Sequence, residues 1–293
     1  MELEVSTANA PIPVLTSVSD LATTSEAWLV DVWGVIHNGV AAFESSGNAC
    51  AAYRQQGGYV VLLTNAPRPA EAVVEQLDRI GVRRDAYDAV LTSGDVTRGL
   101  VKAWSDKPLC HIGPQRDLGI FEDLGTKFTT TLDAEIVVCT GLMDDETETP
   151  DDYASTLAGF KRRNLVMLCA NPDLKVERGD RMVYCAGAIA QAYEQLGGEV
   201  VYSGKPYLPI YDLALGMIRD GLGRDVPKDR VLAFGDGLLT DIKGASAAGI
   251  RSLFIASGIH VPRASEFDEA MLLDVFGGYE HTLPVAGMRA LTW

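Results

Sequence analysis

The sequence predicts an α/β protein in which a mostly parallel sheet is covered by helices on both faces. Three observations lead there. Eight short runs rich in Val, Leu and Ile are nearly continuously apolar rather than alternating; stretches of helical periodicity separate them; and most runs end abruptly in small or polar residues. A strand wetted on one face would alternate, so unbroken apolarity implies burial on both.

The runs are WLVDVW (28–33), YVVLLTN (59–65), AVLTSG (89–94), EIVVCTG (135–141), LVMLCANPD (165–173), EVVYSGKP (199–206), RVLAFGDG (230–237) and RSLFIASG (251–258). Between them, NACAAYRQQG and PAEAVVEQLDRIG read as helices closed by glycines that can take the left-handed conformation. TPDDYASTLAGFKRRN reads as a helix capped by Thr149, with Pro150 first and two acids in the opening turn. The acidic stretch 144–152 before it reads as a solvated loop rather than a metal site. GASAAG (244–249) lacks the spacing of a nucleophile elbow and reads as a helix packed closely on the sheet.

Composition narrows the function classes. The chain has 293 residues, 47% hydrophobic and 22% charged, enough for one large or two ordinary soluble domains. A net charge of −15 repels phosphate backbones and anionic lipid, so neither nucleic acid nor membrane is expected as a partner. No run approaches membrane-spanning length, and the first residues lack a basic start followed by an apolar segment. Cys50, Cys110, Cys139, Cys169 and Cys185 form no CxxC pair and several lie in apolar runs, as expected of reduced core residues in a cytoplasmic protein. His37, His111, His260 and His281 have no metal-ligand spacing. Lys102, Lys161, Arg162 and Arg163 mark either an anion-binding face or ordinary solvated surface.

The chemistry lies at the strand ends. In a parallel sheet the carboxyl ends share one edge, where ligands bind, so Asp31, Thr64 with Asn65, Ser203 through Lys205, and Asp236 are expected to converge. A buried-strand carboxylate such as Asp31 can act as a nucleophile toward phosphate, splitting one hard displacement into two. An anion attacking an anion needs its repulsion cancelled. Asp236 adds a second carboxylate, and this donor set suits Mg²⁺, with Asp241 ligating or orienting a water. Lys205 offers a point cation for Asp31 and the phosphoryl group, and Thr64 a hydroxyl and adjacent amides for phosphate oxygens.

DVWGV (31–35), LLTNA (62–66), GKP (204–206) and GDGLLTD (235–241) resemble, in order, the four motifs of the haloacid dehalogenase (HAD) superfamily. The long gap between Asn65 and Lys205, with CANPD and GAIAQAYEQLGG inside it, resembles the branch that carries a large α/β cap, the p-nitrophenyl, sugar and nucleotide phosphatase relatives. The resemblance implies a Rossmann-like doubly wound core from residues 1–105 and 198–293, with a cap from 106–197 inserted. It implies Asp31 as nucleophile and metal ligand, the Trp33 carbonyl on Mg²⁺, Thr64 and Asn65 on substrate, Lys205 between nucleophile and phosphate, and Asp236 with Asp241 on the metal. It places Asn171 and Asp173 of the cap at the mouth, touching a small phosphorylated metabolite. Relatives often form homodimers through the cap.

One position departs from the pattern. Most phosphatases of this superfamily carry a second aspartate where Trp33 stands, and an indole N–H neither gives nor takes a proton usefully. His37, read as a partly exposed loop histidine near the mouth and within reach of substrate, is the nearest titratable replacement. Three readings remain open: a Mg²⁺-dependent phosphatase slowed by Trp33, a dehalogenase-like hydrolase, which would need no metal, and a low-turnover binding or regulatory protein.

Overall fold

The computed structural model describes residues 12–178, 181–256, 267–279 and 281–293; His260 and the end of the last predicted run lie outside them. The unbroken apolarity of the runs has the expected cause. In β2 (Ala27–Asp31), Trp28 and Val30 pack with Tyr53, Leu62 and Phe234 on one face, while Ala27 and Leu29 pack with Val61, Ile210 and Ala214 on the other. Helices Glu44–Gln55 and Ala70–Ile80 cover the first face, and Leu208–Leu222 and Lys243–Ala248 the second. Burial on both faces removes any reason for alternation. Trp28 stacks on Tyr53 with ring centroids 3.8 Å apart, which anchors the first helix to the middle of the sheet.

Besides β2, the described strands are β1 (Val14–Leu15), β3 (Tyr59–Thr64), β4 (Ala89–Thr92), β5 (Pro108–Ile112), β6 (Lys127–Phe128), β7 (Ile136–Cys139), β8 (Val166–Cys169), β9 (Lys175–Arg178), β10 (Arg181–Tyr184), β11 (Glu199–Tyr202), β12 (Val231–Gly235), β13 (Arg251–Ile255) and β14 (Ala286–Met288). The core sheet runs β1-β14-β13-β12-β2-β3-β4, all parallel. Helices on both faces of such a sheet make it doubly wound and Rossmann-like.

A second parallel sheet, β11-β8-β7-β5-β6, carries its own helices, Ala154–Arg162 and Ala186–Gln195, with Tyr153, Phe160, Ile189 and Tyr193 in its core. An antiparallel hairpin, β9-β10, follows β8. One expectation needs correcting. The boundary at 197/198 assigns Glu199–Tyr202 to the core, but β11 pairs with β8 in the cap sheet, and the chain returns to the core only through Ser203–Pro206. An EVVY run suits any parallel sheet, and local pattern does not choose between two.

The caps form as their sequences require. Helix Ala70–Ile80 ends at Gly81 with φ +88°, which a side chain would strain. Thr149 and Asp152 form a capping box over a 3₁₀ turn, Pro150–Tyr153, that runs into Ala154–Arg162. In the acidic loop before it, Asp145 pairs with both Arg116 and Arg178. All five cysteines are free and buried. No described helix is long and apolar enough to cross a membrane.

Candidate active site

Strand order builds the site. β12, β2 and β3 are neighbours, so their carboxyl ends set Asp236, Asp31 and Thr64 side by side. The turn after β12 is π-helical, Leu238–Ile242, and folds Asp241 back toward the strand end. Its Oδ2 accepts from the Gly237 N–H at 3.1 Å. A Cβ on Gly235 would lie 2.1 Å from the Asp241 carboxyl carbon, so only glycine admits the carboxylate there. The other side is equally tight. At Gly34, φ is +84° and a Cβ would lie 2.1 Å from Asp236 Oδ2, so the main chain after Trp33 runs directly against that carboxyl.

Lys205 joins these groups. Its Nζ donates to Asp31 Oδ1 at 2.5 Å, to Asp241 Oδ1 at 2.6 Å and to the Leu63 carbonyl at 3.1 Å, with the side chain almost wholly buried. The lysine does not end a core strand as its sequence context suggested. It sits in a turn between β11 of the cap sheet and helix Leu208–Leu222, with the Tyr207 N–H bonded to the Gly204 carbonyl at 2.9 Å.

The electrostatics leave a deficit of positive charge. Asp31, Asp236 and Asp241 each offer an oxygen within 4.8 Å of the others, close to the span of oxygens on one Mg²⁺. Three carboxylates against one ammonium leave two negative charges. Burial pushes the Asp31 carboxyl well above its ordinary value, and Asp241 and Asp236 push it the same way against the pull of Lys205. Burial, then Asp241, raises Asp236 to about 7. Burial opposes the charge on Lys205, yet Asp241 and Asp31 hold its ammonium above its usual range. The buried acidic triad can therefore hold one divalent ion. Among the described residues it is the one cluster of His, Cys, Asp or Glu so arranged.

A stability prediction arises here. Asp236 binds its proton more tightly folded than unfolded, from an ordinary 3.8 to about 7, so its contribution is full at low pH and is lost as pH rises through 7. Relative to Asp236→Asn, a comparison that cancels the opposite trend of buried His37 and His111, metal-free protein is expected to lose on the order of 5 °C in Tm between pH 5 and 7.5, and saturating Mg²⁺ to restore it at pH 7.5. Thermal scans of both proteins in chelator and in Mg²⁺ check this. A Tm that rises relative to the variant's over that window in chelator contradicts it.

The remaining candidates divide. Thr64 is buried at the end of β3, its Oγ1 accepting from the Ala66 N–H at 3.2 Å. Asn65 is bonded inward rather than presented to a ligand: its amide pairs with the Lys205 main chain and with Asp173. Asn171 closes its own turn through Oδ1 and the Asp173 N–H at 3.0 Å. His37 is buried, not partly exposed. Its Nδ1 accepts from the Gly39 N–H at 2.9 Å, and burial lowers it to about 4. The segment 32–37 folds into a tight loop that turns the ring inward, through Val32 carbonyl bonds to the Ile36 and His37 amides. The Trp33 indole lies edge-on to His37 at 5.2 Å and over Gly39, where a Cβ would meet the ring at 2.2 Å.

Sequence reasoning missed two features. The amide clamp on Lys205 is one; the asparagine directly after Thr64 was its only local sign. The other is Arg68, on the loop after β3, whose guanidinium donates to Gln76 at 2.5 Å and whose carbonyl accepts the Thr92 hydroxyl at 2.6 Å, with burial, ahead of the charges around it, lowering it from its ordinary value. Both features are contacts between separate segments, which no local pattern places.

Relatives agree with this architecture. A haloacid dehalogenase-like hydrolase family model matches residues 28–127 and a HAD-hydrolase-like model residues 202–274. Among solved structures, a haloacid dehalogenase-like family hydrolase from Brucella suis 1330 is 42% identical, with 94% of this chain and 99% of that one covered and a TM-score of 0.85. A possible sugar phosphatase of the HAD superfamily from Cytophaga hutchinsonii is 19% identical over 94% and 97%, with a TM-score of 0.78. A 4-nitrophenylphosphatase from Thermotoga maritima is 24% identical over 92% and 96%, with a TM-score of 0.69; at these two identities the likeness is one of fold. No curated protein matches the chain. The four motifs, the strand order that gathers them and a 42% identical relative over nearly the full length together place this chain in the haloacid dehalogenase-like hydrolase family.

Proposed function

We propose that the protein is a Mg²⁺-dependent phosphohydrolase of small organic phosphates, acting through a phosphoaspartyl intermediate. The observation that carries this is Lys205 Nζ between Asp31 and Asp241, with Asp236 completing a buried acidic triad on adjoining strand ends. Asp31, Asp236, Asp241 and the main-chain carbonyl of Trp33 would hold Mg²⁺. When bound, the ion would neutralise the carboxylates and the incoming phosphate, which lets a buried Asp31 stay ionised.

The chain's own groups do the rest. Asp31 bonds to phosphorus as the ester P–O bond breaks, and the departing oxygen takes its proton from solvent. Lys205 holds Asp31 Oδ1 in place and offsets charge on the transferring group, while Thr64 and nearby main-chain amides receive phosphate oxygens. Water then bonds to phosphorus, the P–O bond to Asp31 breaks, and orthophosphate leaves. Dehalogenation needs no metal, so the acidic triad that Asp236 and Asp241 complete speaks against it.

Trp33 limits the first step. His37 does not replace the missing acid, because Gly39 occupies its Nδ1 and burial keeps it neutral at working pH. Turnover is therefore expected to favour good leaving groups such as p-nitrophenol. Trp33→Asp is expected to raise kcat on an alkyl phosphate about 10²-fold, the lower end for positioned acid–base catalysis, with a lower Tm because the indole no longer covers Gly39. Steady-state kinetics and a thermal scan check both, and an unchanged kcat would show that proton transfer is not limiting. A screen of sugar, nucleotide and coenzyme phosphates with and without Mg²⁺ tests the reading as a whole. Silence across that screen, with tight ligand binding, favours the low-turnover binder that Trp33 also accommodates.

A further inference from the structure

Asn65 is bonded on three sides. Its Oδ1 accepts the Lys205 main-chain N–H at 2.7 Å, and its Nδ2 donates to the Lys205 carbonyl at 3.1 Å and to Asp173 Oδ1 at 2.9 Å. The first two bonds hold the main chain of Lys205 against the end of β3. They thereby set the root from which its Nζ reaches Asp31 and Asp241.

The third bond comes from the cap. Asp173 follows β8 in a turn closed by Asn171, and helix Ala186–Gln195 seats on that turn: a Cβ on Gly187 would lie 2.2 Å from the Pro172 carbonyl oxygen and 2.5 Å from that of Asp173. Gly204 fills the space beneath, where a Cβ would meet Asn65 Oδ1 at 2.4 Å, Pro172 at 2.8 Å and Ser93 Oγ at 2.9 Å. Cap turn, core loop and the approach to Lys205 thus meet with no room for another side chain.

The chemistry of the contact is directional. A carboxylate accepts and never donates, so Asp173 demands the NH₂ side of the Asn65 amide. That leaves the oxygen facing the Lys205 N–H. The Lys205 N–H and carbonyl ask for the same orientation, since a flipped amide would oppose like groups at both. A charge-assisted bond is about twice as strong as a neutral one, so Asp173 adds the strongest single hold on an amide already aimed at the lysine main chain.

We propose that Asp173 and Asn65 form a latch through which the seated cap positions Lys205 for phosphoryl transfer. Both are positioning residues: Asp173 acts through Asn65, and Asn65 through the lysine main chain. Lifting of the Asn171–Asp173 turn would release the lysine, so chemistry is confined to the closed state. The proposal rests on Lys205 having the role given above. Its distinctive consequence is a change in kcat rather than in KM.

The test uses Asp173→Ala, Asp173→Asn, Asn65→Ala and the double variant in the full chain, with two readouts. Hydrogen exchange at the Lys205 amide, which donates to Asn65, reads the clamp without any turnover. Asp173→Ala is expected to speed it about 10-fold, the loss that follows from one charged hydrogen bond, with core-sheet exchange and Tm unchanged. On p-nitrophenyl phosphate kcat should fall about 10-fold with KM within twofold. Asp173→Asn, which keeps an acceptor oxygen, should recover most of it, and Asp173→Ala should add nothing in the Asn65→Ala background. Unchanged exchange at Lys205, multiplicative losses, or a raised KM at constant kcat would each overturn the latch. Should exchange respond as expected while no form of the protein hydrolyses any phosphate ester, the latch stands and the phosphatase reading falls.

Discussion

Asp31→Asn is expected to lower Mg²⁺-dependent release of phosphate from p-nitrophenyl phosphate by at least about 10⁴-fold, since loss of a nucleophile leaves only what positioning and charge supply. Asparagine keeps the shape of the side chain and loses its nucleophilicity. The fold should not suffer. Burial, then the Asp241 and Asp236 carboxylates, make the Asp31 charge unfavourable, and Lys205 keeps Asp241 as a partner when Asp31 is neutral. Metal-free Asp31→Asn is therefore expected to melt at or above the parent, with less stabilisation by Mg²⁺. Kinetics and thermal scans in chelator and in Mg²⁺ measure the two halves separately. Phosphate release that survives the substitution would remove Asp31 from the reaction.

Lys205→Met should combine a loss of rate with a loss of stability. The methionine stem fills the same buried space but leaves Asp31 and Asp241 facing each other without a cation. Removing one partner of a buried pair costs about 3–5 kcal/mol, because the charge left behind has no compensation. Loss of the group that stabilises transition-state charge costs about 10²–10³ in kcat. The sign with pH follows from the pull of Lys205: in the parent it holds the Asp31 carboxyl down against burial and the Asp241 and Asp236 carboxylates, and without it Asp31 keeps its proton to higher pH, so the variant's deficit should shrink as pH falls from 7.5 toward 5. Mg²⁺ should recover part of the stability. Urea unfolding at both pH values, with and without Mg²⁺, measures this, and a deficit independent of pH would mean that the lysine stabilises by packing alone.

The legibility of this chain differs by level. All eight predicted runs contain strands, because a strand buried on both faces must be continuously apolar. The strands that escaped notice are those whose surroundings relax that demand. β1 and β6 are two-residue edge strands, β14 has three residues, and the hairpin LysValGluArg with ArgMetValTyr interleaves charge. β5 opens on a proline. Asp31, Thr64 and Asp236 were legible for a related reason: a polar residue closing an apolar run has few places to be except the strand edge.

Other assignments needed the third dimension. EVVYSGKP looked like another core strand delivering Lys205, whereas its strand lies in the cap sheet and the lysine enters from a turn. His37 looked exposed because it sits in a loop; the Val32–His37 loop turns it inward. Asn65 looked like a ligand for substrate, and its partner proved to be a residue 140 positions away.

Residue order alone settled the class of sheet and the polar side chains available at its edge, because these depend on periodicity and side-chain type, while the departure at Trp33 was legible only against the motif that the chain resembles. Folding settled which of those groups meet. Lys205 reaches Asp31 across 174 positions and Asp173 reaches Asn65 across 108. Such contacts follow from strand order and from the return of the chain through the cap, which local spacing does not encode.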